Sequence, residues 1–418
     1  MTPEEGRAAG RLVVRAVAGG VRHVQEWHEG IAARPLRILG APAAPVRVLH
    51  DAVVTASYRS VYRVTRSLGW VAGELAASAV PTGAWGGATV AAVNGAVGDL
   101  LEGEASPLAI RMSVRVDGRD VSTGQLADAF PSATGKLAVL LPGLGESELA
   151  WQLHACREPG APAVSYGTRL AADFGYTSVY LRYNTGRHIS ANGRELAGLL
   201  TEVVRAWPVP VEDIVLIGHS MGGLVARSAG VYGAESAEPW VPLVQDVFCL
   251  GSPHHGAPLE QGAGYLTWIL AHVPETRALA RLVAGRSRGV KDLRFGYLVD
   301  DDWRDCDADG CLRNHRREVP MRARHHLIAA TVARDPASLA GRLVGDWLVL
   351  PGSGTARRRP ARGAVAASEP GTDAVGPTVL GGVHHLQLLN HPDVYAAITA
   401  RLAARGRDDA LAEDARPG

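Results

Sequence analysis

Cysteine is scarce: four residues in 418, too few for a disulfide scaffold, so a reduced, cytoplasmic setting is expected. Neither sign of charge dominates, with 43 Lys and Arg facing 42 Asp and Glu. Bulk electrostatics therefore give no case for nucleic acid or an acidic partner. The opening "MTPEEGRAAG" is acidic and has no basic stretch leading into an apolar one, so no secretory signal is read there. Metal motifs are missing as well: there is no H-E-x-x-H and no C-x-x-C. Histidines do pair along the chain at His254-His255, His325-His326 and His384-His385. Neighbours on a strand face opposite sides, so at most one of each pair can converge on an ion. "DCDADG", Asp305 to Gly310, imitates the start of a calcium loop but places Arg316 where the bidentate Glu belongs. The expectation is no metal and no cofactor.

A long run of large apolar residues is also lacking. Leu75 to Gly98 carries no charge over a length that could cross a bilayer. It is mostly Ala and Gly, with Pro81 and Asn94 inside it, which suits a buried or interfacial helix better than a span.

Two compositional regions are present. Residues 1–104 read as a helical N-terminal region, with Val14, Val17, Val21 and Val24, then Val61, Val64, Leu68 and Val71, at three- and four-residue steps. Up to Gly73 this part holds ten Arg against five acidic residues. Such a basic hairpin could touch an anionic membrane surface peripherally; a helical layer packed on the main domain, with a solvated arginine face, is the preferred expectation. From residue 105 to 403, strand-like runs such as "KLAVLLPG", "TSVYLRYN", "EDIVLIGH", "QDVFCLGS" and "HHLIAATV" alternate mostly with helix-length stretches. Continuous apolar runs suit parallel strands covered on both faces, so a mostly parallel, doubly wound α/β sheet is expected. Residues 257–324 interrupt the alternation and suit a cap over a site at the carboxyl ends of the strands. Residues 352–376 read as a mobile loop and 404–418 as a flexible tail.

The sharpest local signal is "VEDIVLIGHSMGGLVARSAG", Val211 to Gly230. G-x-S-x-G alone decides little, since "GRSRG" at Gly285–Gly289 also fits it. Only Ser220 has a strand running into it and a helix leaving it, the geometry of a nucleophile elbow. Such a turn holds the serine in a strained conformation at a helix amino end, where the Met221 N–H can meet a developing oxyanion.

This constellation resembles the α/β-hydrolase superfamily and its serine lipases and esterases, which read G-H-S-M-G-G at the elbow. "LPGLGESELAW" (Leu141–Trp151) is similar to the oxyanion-hole loop of that family, and "LGSPHHGAP" (Leu250–Pro258) to the segment after the next strand. The nearest likeness is to bacterial lipase-like proteins related to the GPI-inositol deacylases, over roughly residues 105–403.

The resemblance implies an α/β-hydrolase fold with a cap insertion and a Ser-Asp-His triad in that chain order. Ser220 is the implied nucleophile. His385, before "LQLLNHPDVYAAI", matches the family's histidine better than His384 or His391. Asp346, in the "GD-x-x-V" turn, is the implied acid, with Asp373 as the weaker alternative. Leu144 and Met221 supply the implied oxyanion amides, and His219, Pro253 and His254 are expected at the substrate. Arg182 and Asn184 are candidates for organising the oxyanion loop, or else plain loop braces.

The expected reaction is hydrolysis of a carboxylic ester, with a small-molecule ester or lipid as partner, through an acyl-enzyme. Alternatives are an acyltransferase or thioesterase using the same triad, or a non-catalytic, membrane-associated scaffold of this fold.

Overall fold

The computed structural model describes residues 84–156, 163–256, 287–304, 323–338 and 377–414, together with 321, 341, 345–346 and 348–355. The expected helices before residue 84, both helical candidates of the cap insertion, Cys306, Cys311 and Asp373 lie outside the described residues.

Eight strands form one sheet: β1 (Ser113–Val116), β2 (Arg119–Val121), β3 (Lys136–Leu141), β4 (Thr177–Arg182), β5 (Asp213–His219), β6 (Val244–Leu250), β7 (Arg324–Thr331) and β8 (Thr378–Gly381). Their order is β2-β1-β4-β3-β5-β6-β7-β8. Strand β1 runs antiparallel to both neighbours, and all other pairings are parallel. Sequence predicted most strands to within a few residues; β2, a three-residue edge strand after the Asp117-Gly118 turn, was too short to register.

Each central strand splits its side chains between two cores, which is why these segments read as unbroken apolar runs. Leu137, Val139 and Leu141 of β3 point into one core, while Ala138 and Leu140 point into the other. Two helices, α3 (Ile189–Ala206) and α4 (Met221–Glu235), cover the first face through Leu196, Leu200, Leu224 and Val225. The second face is covered by α2 (Tyr166–Phe174) and α6 (Pro392–Asp414), through Tyr166, Leu170, Tyr395 and Ile398. This mostly parallel, doubly covered sheet is the expected α/β-hydrolase architecture.

Residues 404–418 are expected to be a flexible tail; helix α6 covers that stretch as far as Asp414. Within it, Arg405 is anchored at the amino ends of the strands. There Arg405 reaches Asp213 and, at 2.6 Å, Asp246, while Tyr176 donates to Asp213 at 2.6 Å.

Helix α1 (Ala84–Gly103) takes in the second half of the uncharged stretch and docks on the carboxyl-end rim of the sheet. Asn94 is fully buried, donating to Val90 O and Leu108 O and accepting from the Ile110 amide. Among the described residues no helix is long and apolar enough to cross a membrane.

Candidate active site

Strand β5 ends at His219 and α4 starts at Met221, so Ser220 alone must turn the chain. It does so at φ 52° and ψ −119°, a conformation that costs a non-glycine residue of order 1–3 kcal/mol. The packed sheet and helix hold it there, and the Ser220 amide donates to Leu250 O at 2.8 Å. The flanking glycines are required by contact. A Cβ on Gly218 would strike the backbone of Gly222 and Gly223, and one on Gly222 would strike the carbonyl of Leu141. Ser220 itself is partly exposed, and its hydroxyl makes no hydrogen bond among the described residues.

Beside it lies the turn after β3, Pro142 to Gly145. A Cβ built on Gly143 would sit 3.0 Å from Ser220 Cβ, so the turn and the elbow are in contact. Within this cup the amides of Gly143, Gly145, Glu146 and Ser220 all have acceptors. Those of Leu144 and Met221 have none among the described residues. The N–H of Met221 is one of the orphan donors that every helix start leaves open.

His385 opens a short 3-10 turn after β8, and Asp346 lies in the turn after β7. Their side chains meet, Nδ1 to Oδ2, at 2.7 Å, and the His385 amide donates to Asp346 O at 3.1 Å. The other carboxylate oxygen of Asp346 accepts the amides of Leu348 at 3.0 Å and Val349 at 2.7 Å. Asp346 is 1% exposed and His385 4%. With Nδ1 committed, Nε2 of His385 is left buried with no hydrogen-bond partner. Gly251, which directly follows the Leu250 carbonyl that holds Ser220, approaches the His385 ring: a Cβ there would lie 3.0 Å from Cε1. The elbow and the histidine therefore share one neighbour. No hydrogen bond joins Ser220 Oγ to His385 in this structure.

The rival candidates go elsewhere. The His384 amide donates to Gln387, and its ring lies edge-on to His154. His391 accepts the Asp393 amide at the start of α6. The second G-x-S-x-G serine, Ser287, is an N-cap for α5 (Arg288–Phe295) and donates to Gly95 O at 2.6 Å, fastening α1.

Three residues expected at a substrate, His219, Pro253 and His254, are buried. His219 is fully buried, with Nδ1 3.0 Å from Glu146 and Nε2 3.2 Å from His385 O. It ends β5, and Glu146 and the His385 carbonyl close around its ring. His254 is buried against Arg227 at 2.8 Å, and burial beside that guanidinium keeps its ring well below the usual histidine range. Pro253 is buried too.

Arg182 pairs with Glu148 (2.6 Å, Nε to Oε2), bracing the segment that follows the Pro142–Gly145 turn. Asn184 donates to Gly98 O at 2.8 Å and so holds α1. Sequence reasoning passed over Glu146, whose only signal was an acid three residues into the glycine turn. No group of side chains able to hold a metal ion occurs among the described residues.

Residues 139–285, from β3 through the elbow, match the family model described as the PGAP1-like alpha/beta domain. Over those residues the chain is similar to that family. No curated protein matches the sequence. Among solved structures, Bacillus licheniformis lipase BlEst2 in mature form is 18% identical with a TM-score of 0.41, over 64% of this chain and 91% of that one. A lipase-esterase related protein from Clostridium acetobutylicum is 13% identical with a TM-score of 0.34, over 64% and 94%. The Pyrococcus furiosus esterase Pf2001 is 14% identical with a TM-score of 0.33, over 66% and 82%. The match of the PGAP1-like domain takes in Ser220 and the Pro142–Gly145 turn; Asp346 and His385 lie beyond it.

Proposed function

We propose that this protein is a serine hydrolase of carboxylic esters in which Ser220 attacks the carbonyl carbon. His385 Nε2 takes the serine proton and returns it to the leaving alcohol; Asp346 holds the ring and stabilises its charged form without accepting the proton. The Leu144 and Met221 amides hold the oxyanion, and water then releases the acyl group from Ser220.

The single observation that carries this reading is the arrangement of open valences. In a site where the amides of Gly143, Gly145, Glu146 and Ser220 are paired, those of Leu144 and Met221 and one imidazole nitrogen are unpaired around a strained, partly exposed serine. A hydrogen bond from Ser220 to His385 is absent, and enzymes without substrate commonly hold this contact long and tighten it on binding. An apolar acyl group is the favoured substrate, by analogy with lipases and esterases of this fold.

The test is labelling with a fluorophosphonate. Wild type should label and Ser220→Ala should not; equal labelling of both ends the hydrolase reading. A chain-length series of p-nitrophenyl esters then addresses the acyl group. Preference for medium or long chains is expected, and a short-chain-only profile removes the lipid-like substrate.

A further inference from the structure

The site contains a second histidine–carboxylate pair that the reaction above does not use. His219 lies next to Ser220 in the chain, and its ring centroid is 4.8 Å from that of His385. Its Nδ1 faces Glu146, 3.0 Å from each carboxylate oxygen, and its Nε2 faces the His385 carbonyl at 3.2 Å. A carbonyl can only accept, so Nε2 donates, and with Glu146 ionised Nδ1 donates as well. That makes His219 an imidazolium and Glu146 its counter-charge, a pair in the protein interior with His219 wholly buried. Burial disfavours each charge, yet their mutual attraction wins: Glu146 is held below the usual carboxylate range and His219 is raised. The charged and titratable groups facing the pair are His385 and Asp346, with Tyr183 near Glu146.

The pair is wired to both halves of the machine. Glu146 Oε2 accepts the Gly143 amide at 2.6 Å, and the Glu146 amide returns to Gly143 O at 3.1 Å, so the carboxylate closes the turn that carries Leu144. At the other end His219 holds the backbone of His385, whose own amide is tied to Asp346 O. The path from the oxyanion turn to the triad is therefore continuous: Gly143, Glu146, His219, His385, Asp346.

We propose that Glu146 and His219 are positioning residues, an ion-paired clamp that fixes the Pro142–Gly145 turn relative to His385 and so sets the spacing between oxyanion donors and proton acceptor. The role rests on the hydrolase reading above. The clamp touches no substrate, and its effect falls on the transition state, where misplacement of a donor is felt most.

The test uses the full chain with Glu146→Gln, Glu146→Asp, His219→Gln and the double variant Glu146→Gln/His219→Gln. Active sites are titrated with a fluorophosphonate, so kcat is read per competent serine and a folding loss does not mimic a catalytic one. Glu146→Gln and His219→Gln are each expected to lower kcat about 10- to 100-fold with KM within about threefold. The double variant should be no worse than the poorer single by more than about threefold, because the residues act as a unit. Glu146→Asp should recover part of the loss. Independently, ring 15N resonances should show one histidine protonated on both nitrogens at neutral pH in wild type, missing in His219→Gln and converted to a neutral ring in Glu146→Gln.

A neutral His219 ring in wild type overturns the proposal, as does unchanged kcat per active site in Glu146→Gln. An inert wild type that still shows the doubly protonated ring sinks the hydrolase reading and the positioning role with it, leaving the ion pair as structure only. That outcome is distinct from failure of the clamp itself.

Discussion

The sheet holds a buried histidine–aspartate contact of 2.7 Å at each end, and the two differ in everything around them. At the carboxyl end, Asp346 meets His385, and the far nitrogen of that ring has no partner. At the amino end, Asp246 meets His326, and the same carboxylate also receives Arg324 at 3.2 Å and Arg405 at 2.6 Å. Burial pushes the Asp246 carboxyl up, but His326 and the two arginines hold it below its usual range. The first pair carries an unfilled valence beside a strained serine; the second is a saturated charge network tying α6 to the sheet. A histidine–aspartate pair is therefore not a signature of chemistry by itself. What distinguishes them is what else the carboxylate holds: two backbone amides at Asp346, two arginines at Asp246.

The largest effects should separate the two ends by rate. Ser220→Ala or His385→Ala should lower kcat per mole of folded protein by roughly 10⁴- to 10⁶-fold, while His326→Ala should leave kcat within a few-fold. A comparable loss in both histidine variants, measured on p-nitrophenyl esters, would break the contrast. Next come the acids. Asp346→Asn should cost about 10⁴-fold in kcat by leaving His385 in the wrong tautomer. Asp246→Asn should lower the melting temperature and leave kcat unchanged.

A smaller and purely thermodynamic effect is expected from Arg405→Ala. It leaves Asp213 and part of Asp246 buried without their cation, which should destabilise by about 3 kcal/mol in denaturant titration with no change in kcat. A change of less than about 1 kcal/mol would show that the network is electrostatically idle.

The mildest test is pH-dependent. Burial beside Arg227 depresses His325 to about 3, so the folded ring stays neutral where the unfolded one, near 6.5, takes a proton. Between those values the unfolded state binds the extra proton, and stability falls as the pH falls, by about 1.4 kcal/mol per pH unit at most. His325→Leu should remove that slope, so its advantage over wild type should grow from pH 6 to pH 4. Parallel melting curves across that range would exclude the buried imidazole as its source.

Legibility followed the range of the interactions. The central strands were readable because burial on both faces leaves a local mark, an unbroken apolar run such as Ile214–Ile217. Ser220 was readable because elbow glycines must lie next to it in the chain. Asp346 and His385 needed the family resemblance, since a GD turn and a His-Leu step occur without chemistry in many proteins. The helical character of α1 was legible, but what α1 and Arg405 dock against was not, because their partners are remote in sequence. Asn94 is satisfied by Leu108 and Ile110, and Arg405 by Asp213 and Asp246. The pairing of His219 with Glu146 was not legible, because the two residues lie 73 positions apart in the chain.

The docking of α1 bears on where this enzyme fold can be cut. A truncation that begins at residue 105, where the composition changes, would remove the acceptors of Asn184 and Ser287. It would also uncover Gly145, whose nearest neighbour across the rim is Ala92. The twenty residues of α1 therefore belong with the rim of the sheet, where the backbone of Gly95 and Gly98 supplies acceptors to Ser287 and Asn184.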